Sequence, residues 1–256
     1  ENLSVKEANV RFVYGEDRIS IPYLKAQMAG GLLIGEGSYD MTSGAFEGEA
    51  AGEHIDLSSL PVGISASGIV SGSGKAKGIY KEGALSLEMA SGEMDGAGLS
   101  YENMAAGKAS GFGSYRDGDW HGVFYGMDLS YDGMSMDTLS GEATSRGGVM
   151  DIAYLTGTSG EGAFTVKGTY GPSLSLSGEV SSIDLSALSG LSGMDMAGRL
   201  SGRFVVSGSR EDPYGAADFT AQDGEIRGIS FDRIEGHVSL GDQLATITSL
   251  RWEGPD

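Results

Sequence analysis

Three histidines, His54, His121 and His237, are the side chains best suited to acid–base or metal chemistry at neutral pH, and their spacing serves neither. They stand in separate Gly-rich or strand-like contexts, with no HxxxH or HExxH frame to put two imidazoles side by side. Asp117-Gly-Asp119 and Glu211-Asp212 are the tightest carboxylate clusters. Calcium wants about six to eight oxygens, and the Gly-Gly-x-Gly-x-Asp frame of calcium-binding repeats does not follow Gly30-Gly31 or Gly147-Gly148. Acids that form turns account for both clusters. Gly72-Ser-Gly-Lys75 lacks the full phosphate-loop frame, with Gly72 too close to the lysine and Ala76 after it. Gly157-Thr-Ser-Gly160 is too short for a nucleophile elbow. There is no cysteine, which removes disulfides, thiolates and Cys-based zinc sites. The expectation is a protein that is not an enzyme and uses no cofactor or metal.

Composition narrows the partners. Acidic residues outnumber basic ones 36 to 17, for a formal charge of −19. That field repels nucleic-acid backbones and anionic headgroups, so nucleic acid is excluded and any lipid contact must rest on apolar surface. Glycine supplies 44 of the 256 residues, against about 7% ordinarily, without a collagen period. No segment approaches the roughly 20 apolar residues of a membrane span. The chain begins at Glu1 without a signal pattern and stops at Asp256 in mid-pattern, which is expected of a piece of something longer.

The side chains that could act together are apolar, and period-2 alternation arranges them. Ile19 and Ile21, with Tyr23, take one side of Arg18–Tyr23, and Leu85, Leu87 and Met89 one side of the next clear run. Met134 and Met136, then Ile152, follow. Phe164 and Val166 precede Leu174, Leu176 and Val180, and Leu200, Phe204 and Val206 lead to Phe219 and Ile226. Val238 and Leu240 close the set, and the partner side of each run carries Ser, Thr, Lys or Glu. Asp-Gly and related pairs separate the runs at Tyr14-Gly-Glu-Asp, Arg116-Asp-Gly-Asp119, Tyr131-Asp-Gly133, Gln222-Asp-Gly224 and Leu240-Gly-Asp242, and such pairs favour tight hairpins. Short helical excursions are expected only at Asp56–Leu60 and Asp184–Leu191. Trp120 with Tyr115, Phe124 and Tyr125 reads as an aromatic hairpin cap, or else a spot for a sugar or partner.

The chain is also written almost twice. Ile55-Asp-Leu-Ser-Ser-Leu60 returns as Ile183-Asp-Leu-Ser-Ala-Leu188, Ile21-Pro-Tyr-Leu24 as Ile152-Ala-Tyr-Leu155, and Gly98-Leu-Ser-Tyr101 as Gly228-Ile-Ser-Phe231. Two copies, 1–132 and 133–256, each of roughly eight to ten strands, would form one elongated all-β domain. The fold expected is a long antiparallel meander, creased at Gly72, Gly168, Gly178 and Gly202 into an open groove whose concave side is the apolar one.

In the second copy, Gly178-Glu-Val-Ser-Ser-Ile-Asp-Leu-Ser-Ala-Leu188 is followed by Gly198-Arg-Leu-Ser-Gly202, Val206-Ser-Gly208 and Asp212-Pro213. Ala221-Gln-Asp-Gly-Glu-Ile-Arg-Gly228 and Phe231-Asp-Arg-Ile-Glu-Gly236 complete the succession. It resembles the repeated body of the TamB family, within the AsmA-like superfamily of bridge-type proteins of the diderm envelope. The likeness is clearest over 178–240 and weaker over 48–107, where Lys75-Ala-Lys-Gly78 stands in place of Asp212-Pro213. The resemblance implies a periplasmic groove that shields phospholipid acyl chains between inner and outer membranes, with an inner-membrane anchor in a segment outside these residues. The nearest rival is the older role attached to that family, assisting outer-membrane β-barrel assembly with an Omp85-type partner. A structural or adhesive repeat protein is the third reading of the same alternation.

Overall fold

Alternating runs separated by residues that tolerate φ > 0 dictate strands and tight turns, and the computed structural model consists of little else. It describes residues 5–60, 65–132, 134–186, 195–242 and 244–254. The chain divides into two compact units, Glu1–Gly126 and Met127–Asp256. The first holds β1 (Val5–Tyr14), β2 (Arg18–Met28), β3 (Gly31–Asp40), β4 (Ala45–Asp56), β5 (Ala66–Lys81), β6 (Ala84–Tyr101) and β7 (Met104–Arg116), and the division falls inside β8 (Asp119–Tyr131). The second holds β9 (Met134–Arg146), β10 (Val149–Ser159), β11 (Gly162–Tyr170), β12 (Ser173–Asp184), β13 (Met196–Ser209), β14 (Pro213–Ile226), β15 (Ile229–Gly241) and β16 (Leu244–Glu253). Every strand neighbours the next in sequence order, an antiparallel meander in which β1 does not return to β16, so no barrel closes.

Several of the tight turns use two residues of positive φ, the backbone twist that right-twisted strands require. Glu82-Gly83, Asp117-Gly118 and Arg227-Gly228 do so, and Ala29-Gly30 does so with alanine in the left-handed region. Asp132 and Asp242 also take positive φ, and their neighbours Gly133 and Gln243 lie outside the described residues. One expected turn is corrected. Asp223-Gly224 lies inside β14, where Asp223 (φ 50°) makes a bulge opposite Gly198 and the chain reverses only at Arg227-Gly228.

The copies share their irregularities as well as their strands. His54 and Ser182 both take φ near +50° in a bulge, and each backbone N–H donates to a serine hydroxyl on the next strand, Ser71 at 3.0 Å and Ser201 at 2.9 Å. Gly68 and Gly198 hold the same φ of +118°, which a side chain would resist. Asp56 accepts from the Ser58 N–H and Asp184 from the Ser186 N–H, and the first capped segment is a 3₁₀ turn, Leu57–Ser59. The rest of the second helical expectation, from Ala187 on, lies outside the described residues.

Strands pack only on their sequence neighbours, and among the described residues no second layer covers either side of the sheet. Burial is correspondingly thin. Among the described residues the buried apolar ones are Ala26, Ala29 and Ile55 in the first unit and Leu185, Ala221, Phe231 and Ile234 in the second.

Candidate functional site

Direct partners in an antiparallel sheet form rows, and rows two residues apart share a face. In the second unit one row runs Ile152, Gly168, Leu176, Val206, Gly215, Leu240. The next on that face runs Leu155, Val166, Gly178, Phe204, Ala217, Val238, Ile247. Then come Gly157, Phe164, Val180, Gly202, Phe219, Gly236, Leu250, and then Ile183, Leu200, Ala221, Ile234, Trp252. Leu174, opposite Tyr170 and Gly208, ends the face at one rim. At the other rim Ile226 packs with Leu200 and Phe219 on the cluster of Leu185, Ala221, Phe231 and Ile234. The opposite side carries Thr165, Glu179, Arg203, Asp218 and His237 in one row. One side of this unit is thus apolar across seven strands.

The first unit repeats the division with smaller residues. Ile19 faces Tyr39, then Phe46, Gly78 and Leu87, while Ile21 faces Gly37, then Gly48, Ala76, Ala90 and Tyr115. Leu85, opposite Tyr80 beside the β5–β6 turn, is 64% exposed. The polar side holds the rows Ser20, Ser38, Glu47, Lys77 and Glu36, Glu49, Lys75, Ser91.

Three expected members of the apolar face are corrected. A register shift between Lys77 and Gly78 makes Glu88 an extra residue, so Met89 pairs with Lys77 on the polar side, where the Arg116 guanidinium approaches its sulfur at 3.7 Å. Met136 keeps the alternation of Thr138, whose hydroxyl meets Thr158 at 2.7 Å opposite to the Leu139 side, and Met134 follows it. A similar shift after Ile21 breaks the run before Tyr23. The aromatic patch divides too, since Phe124 and Tyr125 are adjacent in β8 and point to opposite sides.

Bulky rings on the apolar side lie over glycines of the neighbouring strand. A β-carbon at Gly157 would come within 2.6 Å of the Phe164 ring, one at Gly178 within 2.6 Å of Phe204, and one at Gly224 within 2.6 Å of Phe231. Each is a direct cross-strand pair. The glycine gives the ring a flat bed and the ring shields the bare backbone. Gly178 is therefore a bed rather than a crease, and Gly202 a close approach to the Asp218 carbonyl, whereas Gly168 takes φ +128° opposite Leu176 within unbroken β11–β12 pairing.

Discrete hollows are also found on the other side of the sheet. Two of about 450 and 440 Å³ in the first unit share Glu36, Glu49 and Lys75, and one of about 430 Å³ in the second touches Glu179, Arg203 and Asp218. Apolar groups line them too, Pro22, Tyr23, Ile34 and Phe112 in the hollow of about 450 Å³ and Phe164, Val180 and Phe219 in that of about 430 Å³. A further polar hollow of about 800 Å³ lies at Ala29–Gly31 beside His54 and Lys25.

Sequence reasoning missed one polar cluster. The His237 ring N–H donates to Asp218 at 2.7 Å, and Arg203 approaches the other carboxylate oxygen at 3.2 Å. Hydrogen bonding from His237, then from Arg203, holds the Asp218 carboxyl below its ordinary range. The three groups are far apart in sequence and met only through register, so no local spacing announced them. Leu155 was missed for another reason, a bulge after Ile152 that displaces the alternation by one. Its signal was the recurrence of Ile21-x-x-Leu24 as Ile152-x-x-Leu155.

No protein-family model, curated protein or solved structure matches the chain. Fold alone does not assign function, so the site's chemistry must carry it. Among the described residues no group of three or more His, Asp or Glu is placed to hold a metal ion, and no helix is long and apolar enough to cross a membrane.

Proposed function

We propose that this chain is a non-enzymatic segment of a bridge-type protein of the diderm envelope, of the TamB kind, working in the periplasm. Its apolar side shields phospholipid acyl chains in passage between the inner and outer membranes. The observation that carries this reading is the uncovered apolar side of each unit. In the second unit it measures roughly 29 by 27 Å, about 800 Å², from the usual strand spacing and rise. Exposed apolar patches beyond a few hundred Å² mark contact with a lipid, ligand or partner. The side chains are aliphatic and aromatic with no charge among them, a lining that suits tails of any length and offers no deep trap to slow sliding.

Site-specific photo-crosslinking in cells that make the protein tests this, with the reactive residue at Leu176 and, as control, at Ser177. Leu176 shares the apolar row with Val206, and Ser177 pairs with Val205 on the opposite side. Phospholipid captured at position 176 but not at 177 is expected. Capture of an outer-membrane protein instead would replace this reading by β-barrel assembly with an Omp85-type partner, and capture of nothing at either position would leave an adhesive or structural repeat.

A further inference from the structure

The polar side of the first unit carries a concentration of positive charge that its sequence repeat lacks. The rows Lys25, Ile34, Ala51 and Gln27, Leu32, Glu53 continue that side toward the β2–β3 turn. There they border the hollow of about 800 Å³, whose polar lining includes Lys6, Lys25, Gln27, Glu53, His54 and Ser59. Two lysines and a histidine meet one carboxylate, in a chain where acids outnumber bases 36 to 17. Among the described residues no ion pair within 4 Å engages Lys6, Lys25 or His54.

The walls of this hollow are fixed by backbone contacts. The Asp56 N–H donates to the Ala29 carbonyl at 2.8 Å, which ties the end of β4 to the β2–β3 turn. Ala29 and Ile55, beside that bond, are buried. A β-carbon at Gly31 would run into the Glu53 carbonyl and the His54 backbone, so β3 starts pressed against the bulge of β4. That bulge, with His54 at φ +55°, is itself held by the Ser71 hydroxyl at 3.0 Å. A ligand would therefore meet a formed site and would not have to order one.

The repeat points independently to an anion at this turn. Glu7 pairs with Gln27 as Thr138 pairs with Thr158, so Lys6, the extra residue of a bulge in β1, stands where the second unit has Asp137. By the same register Lys25 corresponds to Thr156 and Ala29 to Gly160, and the bulged His54 corresponds to Ser182. In the second unit the Gly160 N–H donates to the Asp137 carboxylate at 2.8 Å. An oxyanion of the chain itself thus occupies that turn. In the first unit the acid has become a lysine, and two further cationic side chains have joined it where the second unit has none.

We infer that the hollow beside Ala29–Gly31 binds a phosphate group, free or carried by a lipid headgroup. Lys6 and Lys25 supply compact ammonium charges, the form in which lysine meets phosphate. The His54 ring and the N–H groups of the turn add donors, and turns of this backbone shape suit oxyanions. A tetrahedral phosphate accepts from several directions at once, whereas the two oxygens of a carboxylate lie in one plane. The strongly acidic remainder of the chain repels anions in general, so a local cationic hollow confines them to one place. The inference does not rest on the lipid-shielding reading, because this site lies on the side of the sheet away from the apolar rows.

The test titrates the full chain with inorganic phosphate by calorimetry and sediments it with phosphatidylglycerol vesicles. Lys6→Asp, which restores the arrangement of the second unit, should abolish the response while circular dichroism stays that of the parent. Lys25→Gln should weaken it by about tenfold, the scale of one charge-assisted hydrogen bond. Lys75→Gln, at a lysine of the polar side outside this hollow, should leave it unchanged. Phosphate binding that Lys6→Asp removes supports a soluble phosphate ligand, and vesicle binding alone that Lys6→Asp removes supports a lipid headgroup. Response to neither probe overturns the site. So does a response that Lys6→Asp leaves intact, that Lys75→Gln weakens as much as Lys25→Gln, or that sodium chloride at matched ionic strength reproduces. Vesicle binding that survives Lys6→Asp in the absence of phosphate binding would overturn this site and leave the apolar side as the lipid surface.

Discussion

Replacing Gly157 by alanine tests the packing that shapes the apolar side. The added β-carbon would stand 2.6 and 2.7 Å from two carbons of the Phe164 ring, well inside van der Waals contact. The ring must tilt off its bed or the strands must part. Overpacking of this kind costs about 1–3 kcal/mol, and restricting the unfolded chain returns about 0.4–1 kcal/mol, so a net loss of roughly 1–2 kcal/mol is expected. Gly113→Ala is the control, because a β-carbon there meets no atom within 4 Å. It should be neutral or stabilising by a few tenths of a kcal/mol. Urea unfolding followed by tryptophan fluorescence reads the loss, since Trp252 lies edge-on to Phe231 in the same unit, with centroids 5.5 Å apart. Gly157→Ala in a Phe164→Leu background should cost less than in the parent, with a coupling of about 0.5–3 kcal/mol. Equal behaviour of Gly157→Ala and Gly113→Ala, or strict additivity with Phe164→Leu, would refute the seated-ring account.

Four further outcomes follow from the same geometry. Leu176→Asp should abolish phospholipid capture while the chain still folds, as judged by circular dichroism, because the side chain is only half-buried; Ser177→Asp should change stability by no more than about 0.5 kcal/mol. Ser71→Ala and Ser201→Ala should each lose about 1 kcal/mol in urea melts, one hydrogen bond to a bulge N–H apiece. The Asp218 carboxyl is held low in the folded state, so its contribution is complete above the ordinary carboxylate range near pH 4 and fades as pH falls through the lowered value. Asp218→Asn should therefore flatten part of the fall in Tm on acidification below about pH 4. Phosphatidylethanolamine vesicles should raise Tm in a concentration-dependent way, and absence of any shift at saturating lipid counts against the lipid reading.

Strand identity was legible because alternation and turn chemistry agree along nearly the whole chain, and the repeat showed which irregularities were built in. Facing was legible only while alternation ran unbroken. From Phe164 to Val180 no bulge intervenes, and the alternating residues share one side. At Met89 a single extra residue, Glu88, reverses the side, and nothing in Leu-Glu-Met distinguishes a bulged glutamate from an ordinary outward one. The Asp-Gly pair at 223–224 shows the same ambiguity at the backbone, since residues that tolerate positive φ serve a bulge as readily as a turn. The choice there is made by Phe231, whose ring needs Gly224 beneath it. The Asp218–His237–Arg203 cluster was illegible for want of register, because three strands must be aligned before those residues become neighbours.

A single-layer sheet of this kind has an unfinished energy balance. If about half of the roughly 800 Å² apolar side of the second unit stays in contact with water, covering it would yield on the order of 10 kcal/mol at about 25 cal/mol per Å². That is comparable to the whole stability of an ordinary domain, about 5–15 kcal/mol. A buried core would have used that free energy in folding, and here it is held back for whatever lies on the sheet. The placement of charge fits such reserve. The chain carries a net charge of −19, which opposes pairing of one sheet with another, and the apolar rows of the second unit hold no charged residue. Acyl tails laid on the sheet would cover that side without bringing a second protein layer. A β-strand client would engage the sheet at backbone edges and leave the apolar rows exposed. The uncovered rows, more than any edge, therefore favour a lipid over a peptide.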